Sequence, residues 1–202
     1  MGHDVPVNSL RRSHVLVIVG CVLLAVVVAT IAWLVRDEPA ERTTFDDASE
    51  PGDLVSVEPW QGVHAAEFEI WRIEYVTTDR HGEPRRATGL VSASATRPDR
   101  KLPVVAFAHG TVGIAEACAP SRRSQPVTTD AGALPAIASQ GAIGVAPDYS
   151  GLGSQGPHGF LVGVEAAHVI LDAVRAVRQM PDVKGNRQAV VWGQSQGGHA
   201  AL

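Results

Sequence analysis

The sequence predicts an α/β fold: a mostly parallel sheet opened by an antiparallel hairpin and preceded by one transmembrane helix. Three observations lead there. Val15–Val35 is an apolar run without a charged residue. A segment that alternates apolar and polar residues is joined by a turn sequence to a second candidate strand. Beyond them, short continuous apolar runs alternate with stretches of helical periodicity, the pattern of buried strands joined by helices. The 202 residues suffice for one domain with accessories. The net charge of -4, with no basic stripe, excludes a nucleic-acid partner.

The first element is the apolar run. As a helix it spans roughly 30 Å, the hydrocarbon thickness of a bilayer. Arg11 and Arg12 precede it, which keeps residues 1–14 cytoplasmic and sends the rest of the chain outward. Trp33 sits near the outer end, where interfacial aromatics are common. An uncleaved single-pass anchor is the leading reading. A cleaved signal segment, giving a secreted protein, and a lipoprotein signal acylated at Cys21 stay open. Residues 36–53 follow with seven acidic residues against two arginines, an acidic linker with too little apolar surface to order itself.

Residues 54–202 form the soluble part. Glu69–Thr77 alternates and reads as a strand, Asp79–Pro84 as a turn, and Ala87–Ala95 as the returning strand of a hairpin. Leu102–Ala108, Ala142–Ala146 and Ala189–Trp192 are continuous apolar runs, expected to be strands covered on both faces. Leu134–Gln140 is a short helix closed by Gly141. Leu161–Met180 is the strongest helix, ended by Pro181. Val164, Ala167, Leu171, Val174 and Val177 are expected to face the core, and Glu165, His168, Asp172 and Arg175 the solvent.

Gly193-Gln194-Ser195-Gln196-Gly197 fits G-x-S-x-G directly after the strand Gln188–Trp192. In that motif a sharp strand-to-helix turn lifts the serine hydroxyl off the sheet. The flanking glycines, Gly193 and Gly197, leave room for the bend. Ser195 is the candidate nucleophile, and the backbone N–H of Gln196 would face an oxyanion formed on attack. His109-Gly110-Thr111 follows the strand ending at Ala108. The N–H of Gly110 or Thr111 would supply the second oxyanion donor. His109, upstream of the serine, is read as structural.

Taken together, Ala108–Thr111, Cys118–Ser121, Pro147–Gly153, the helix Ala166–Ala176 and Trp192–Gly198 resemble the secretory lipase family of α/β-hydrolases. The resemblance runs from about Leu54 to Leu202. It implies hydrolysis of carboxylic esters, including triacylglycerols in lipid catabolism, outside the cytoplasm. It also implies a downstream disulfide partner for Cys118, which is the sole cysteine of the soluble part. One departure stands out. The order in this fold is Ser, then Asp or Glu, then His, and only seven residues follow Ser195. The acid and base are therefore expected beyond Leu202. The chain reads as the N-terminal part of the domain, truncated after the elbow, with residual activity at best.

Other patterns carry less. Gly151–Gly156 fits G-x-G-x-x-G, but Pro157-His158-Gly159 separates it from any helix, which argues against a dinucleotide. His158 reads as a solvated loop residue, His168 as part of a solvated helix face, and Asp148 as the cap of its own turn. Nothing calls for a metal or cofactor. The sequence thus points to an exported, membrane-held serine esterase or lipase acting on an ester or lipid. The rival is a non-catalytic, membrane-tethered hydrolase-like binding module or an inactive fragment.

Overall fold

The computed structural model describes residues 20–30, 49–62, 66–96, 98–124 and 132–202. The predicted cytoplasmic segment 1–14, both ends of Val15–Val35, and residues 36–48 of the acidic linker lie outside them. Residues 20–30 are helical with exposed side chains. Among the described residues no helix is long and apolar enough to cross a membrane. This segment and the residues from 49 onward belong to separate units.

Among the described residues six strands form one sheet: β1 (Leu54–Pro59), β2 (Phe68–Thr78), β3 (Pro84–Ser94), β4 (Leu102–Ala108), β5 (Ile143–Pro147) and β6 (Gly185–Gly193). Their order is β1-β2-β3-β5-β4-β6. The hairpin is β2–β3, in register from Phe68 opposite Ser94 to Thr78 opposite Pro84. Asp79 builds its turn: the carboxylate accepts the backbone N–H groups of His81 (2.8 Å) and Glu83 (3.0 Å), while Gly82 takes a φ of 83°.

The sheet corrects the expectation of a mostly parallel one. β1–β2, β2–β3 and β3–β5 are antiparallel; only β5–β4 and β4–β6 are parallel. Leu54–Pro59 is a strand that the sequence pattern does not announce, because it is a short, partly exposed edge strand ending in a proline. A second correction concerns β6. Its Val190 and Trp192 are 56% and 55% exposed, although the run Ala189–Trp192 looked like a doubly covered strand. Among the described residues β6 pairs with β4 alone, so one flank is open.

Among the described residues three α-helices flank the sheet: α1 (Ala133–Ser139), α2 (Gly163–Val177) and the short α3 (Gln196–Ala200). Strand alternation divides the apolar side chains between two layers. Ile73 and Tyr75 of β2, Val104 and Ala106 of β4, and Ile143 and Val145 of β5 pack with Val169, Ile170, Ala173 and Val177 of α2. On the opposite face Ile70, Leu90, Phe107 and Ala146 pack with Leu134 of α1. Gly141 closes α1 with a φ of 73°, as its sequence position suggests.

The buried face of α2 is the predicted one only in part: Val174 and Val177 are buried and Arg175 is exposed, as expected. Val164 and Leu171 are about half exposed, whereas Glu165 and Asp172 are buried. The reason lies in β2. Thr77 donates its hydroxyl to Asp172 at 2.9 Å, and the Thr78 hydroxyl meets His168 Nδ1 at 2.8 Å. Those hydroxyls satisfy polar side chains turned toward the sheet. The reading of His168 as a solvated residue is corrected with them.

Candidate active site

The site grows from the register of β4 and β6. Ala108 lies opposite Gly193, so both strands leave the sheet at the same level. The loop His109–Thr111 and the turn Gln194–Ser195 therefore emerge side by side. The Gln194 N–H donates to the Ala108 carbonyl at 3.2 Å and clamps them together.

Ser195 occupies φ 55°, ψ −118°, a backbone conformation that costs a non-glycine residue about 1–3 kcal/mol. It is exposed, and α3 begins at the next residue. Glycine is obligatory on both sides for steric reasons. A Cβ on Gly193 would overlap the Gly197 carbonyl, and a Cβ on Gly197 would overlap the carbonyl of Ala108. Gly110 passes beside the serine: a Cβ there would stand 3.7 Å from the Ser195 Cβ. The structure thus brings Ser195, Gln196, Gly193, Gly197 and Gly110 to one place, with exposed Thr111 next in the loop. This arrangement presents a hydroxyl to solvent between two stretches of backbone amide, which suits attack on a carbonyl carbon.

Among the described residues no side chain is hydrogen-bonded to the Ser195 hydroxyl. His199, one turn along α3, places its ring against Gly163 at the start of α2. His109 is fully buried, with Nδ1 2.6 Å from the Gly110 carbonyl. Cys118 is a free thiol packed against Gly113.

Three residues near the serine have roles that the sequence reading missed. Asp148 does not cap its own turn. Fully buried, it accepts the Thr88 hydroxyl (2.6 Å) and the Ser121 N–H (3.0 Å), tying the end of β5 to β3 and to the turn at Pro120–Arg122. Tyr149 takes a φ of 69° and donates its hydroxyl to the His109 carbonyl at 2.9 Å, its ring 4.6 Å from that imidazole. Burial pushes the Tyr149 hydroxyl far above its ordinary pKa, so it stays protonated as a donor. His158 is not a solvated loop residue: Nδ1 lies 2.9 Å from the Ser150 carbonyl and Nε2 3.3 Å from the Gln196 amide nitrogen. The glycines at 151, 153 and 156, all with positive φ, were the available signal of a tightly folded loop here.

Over residues 123–202 the chain matches the secretory lipase family. The match covers the elbow, the glycine-rich loop and α2, whereas His109–Thr111 and Cys118–Ser121 precede it. No curated protein matches the chain. Among solved structures, it is similar to Candida antarctica lipase A in its closed state, with a TM-score of 0.66 and 19% identity, over 81% of this chain and 40% of the lipase. It is also similar to LipA, a rice cell wall degrading esterase from Xanthomonas oryzae, with a TM-score of 0.60 and 24% identity, over 75% of this chain and 44% of the esterase. The chain spans less than half the length of either. At these identities the likeness establishes the fold, and the six-stranded mixed sheet fits that of an α/β-hydrolase.

Proposed function

We propose that the protein hydrolyses carboxylic esters through an acyl-enzyme on Ser195. The observation that carries this is the conformation of Ser195 itself: a strained, exposed serine between two sterically obligatory glycines, beside the backbone of Gly110. The secretory lipase match over residues 123–202 supports the same reading. The Ser195 oxygen attacks the ester carbonyl while its proton passes to a base. Negative charge collects on the former carbonyl oxygen, where the N–H of Gln196 and that of Gly110 or Thr111 stabilise it. Collapse expels the alcohol, and water then releases the acid and restores the serine. The Ser, acid, His order of the fold places the base after Ser195. Esters of fatty acids are the substrate class suggested by the family.

The catalytic domain acts on the outer side of a membrane, held by Val15–Val35 as an anchor. This part of the reading rests on the uncharged apolar run and the arginines before it. Hydrolysis of p-nitrophenyl esters by the full-length protein tests the chemistry: release should vanish in Ser195→Ala, and undiminished release in that variant would overturn the assignment. Extraction at alkaline pH tests the anchor, since a spanning protein stays with the membrane and a peripheral one leaves it.

A further inference from the structure

A chain of three hydrogen bonds joins the two loops that flank Ser195. The Tyr149 hydroxyl holds the His109 carbonyl on one side. Ser150, the next residue, offers its carbonyl to His158 Nδ1. His158 Nε2 faces the side-chain amide nitrogen of Gln196. A carbonyl only accepts, so Nδ1 carries the ring hydrogen. Nε2 is then a lone pair, and the Gln196 amide donates to it. Both ring nitrogens are occupied, which leaves His158 no free nitrogen to take a proton from Ser195. The ring is also wedged between aromatics, 6.0 Å from Tyr149 and 6.1 Å from Phe160.

The placement is unusual in another respect. Among the described residues the non-glycine positions with positive φ are Tyr149, Leu161 and Ser195. Two of these adjoin the ends of this hydrogen-bond chain, and backbone strain persists only where the surroundings enforce it. Gln196 is the residue whose backbone N–H the reaction needs. Its side chain is buried, and its amide nitrogen meets His158.

We propose that His158 is a positioning residue. As the Nδ1–H tautomer it grips the Gln196 side chain, and so fixes the direction of the Gln196 backbone N–H relative to the Gly110–Thr111 loop that Tyr149 secures. The inference rests on the proposed role of Ser195 and Gln196, and assigns to His158 the alignment of the two oxyanion donors. His158 does not touch the substrate; it acts through Gln196.

The test is a double-mutant cycle on the full chain, reading the second-order rate at which a fluorophosphonate labels Ser195, because the phosphonyl oxygen occupies the oxyanion position. His158→Phe keeps an aromatic ring between Tyr149 and Phe160 but removes both hydrogen bonds. Gln196→Met keeps the backbone N–H and the side-chain length but removes the amide. Each should slow labelling on the order of tenfold, less than the roughly 10²–10³ lost when a donor is deleted. The double variant should be no slower than either single one. Full-rate labelling of His158→Phe, or effects that multiply, overturns the positioning role while leaving Ser195 as nucleophile. A wild-type chain that is not labelled at Ser195 overturns both the proposed function and this role. A readout independent of folding in the variants is the ¹⁵N spectrum of histidine-labelled wild type: His158 should be the Nδ1–H tautomer, and an Nε2–H tautomer refutes the arrangement.

Discussion

Gly197→Ala tests the steric logic of the elbow most sharply. The added Cβ would overlap the carbonyl of Ala108 and stand 2.8 Å from the carbonyl oxygen of His109. Both obstacles are backbone, and Ala108 ends a core strand, so neither yields as a flexible side chain would. Relief requires α3 to move away from β4. That movement threatens the Gln194–Ala108 hydrogen bond, worth about 1 kcal/mol, on top of about 1–3 kcal/mol for overpacking. The expected loss of stability is about 2–4 kcal/mol. A displacement of about 1 Å between Ser195 and the Gly110 loop should also slow fluorophosphonate labelling on the order of 10²-fold. Gly198→Ala supplies the control. Its Cβ would meet only the Gly193 carbonyl at an ordinary 3.7 Å, and alanine gains about 1 kcal/mol over glycine within a helix. Urea midpoints and labelling rates, measured side by side, decide the matter. Equal behaviour of the two variants, or a Gly197→Ala protein as stable and reactive as wild type, refutes the reasoning.

Thr88→Val removes the hydroxyl that serves the buried Asp148 and should cost about 2 kcal/mol in a urea titration; no change would mean that Asp148 does not tie β5 to β3. Burial opposes ionisation of Asp79, but the amides of His81 and Glu83 and the Arg85 guanidinium outweigh it and hold the carboxyl below its ordinary range. Its folded pKa is thus depressed, so the ionised group contributes stability above the unfolded value, about 3.9, and that contribution is lost as pH falls through the lower folded value. Asp79→Asn should therefore be less stable than wild type at neutral pH, with the gap closing through that acidic window; a gap that stays constant contradicts the assignment. Val177→Ala should cost on the order of 2 kcal/mol because the side chain is fully buried, while Leu171→Ala, at a half-exposed position, should stay within about 0.5 kcal/mol. Calorimetric midpoints in the reverse order would contradict the burial of Val177 and the exposure of Leu171.

The strands were legible where the chain is buried on both sides. β4 and β5 are continuous apolar runs because helices cover them on both faces, β2 declares itself through alternation, and the Asp79–Gly82 turn marks β3 as its hairpin partner. Periodicity was weaker for α2, which carries apolar residues nearly all round: Val164 and Leu171 competed with Val169, Ile170 and Ala173 for the core. Hydroxyls on β2, far away in sequence, settled that competition by satisfying Asp172 and His168. β6 reads as a core strand yet is exposed, because coverage depends on what stands beside it rather than on its own composition.

The elbow was readable because its constraints are local: glycine at 193 and 197 answers collisions within a few residues or with the adjoining strand end. Tyr149 and His158 were not, since their partners, His109 and Gln196, lie about 40 residues away in the chain. A lone loop histidine carries no mark of the amide it will meet. The glycines around it marked a constrained loop but not what the constraint holds in place.

The central claim is that the Ser195 oxygen is the attacking group. Treatment of the full-length protein with a fluorophosphonate, followed by proteolysis and mass spectrometry, addresses it directly. The account predicts a single phosphonyl adduct on the peptide carrying Ser195, absent after prior unfolding in urea. An unmodified Ser195 peptide, or an adduct on a different serine, would contradict it.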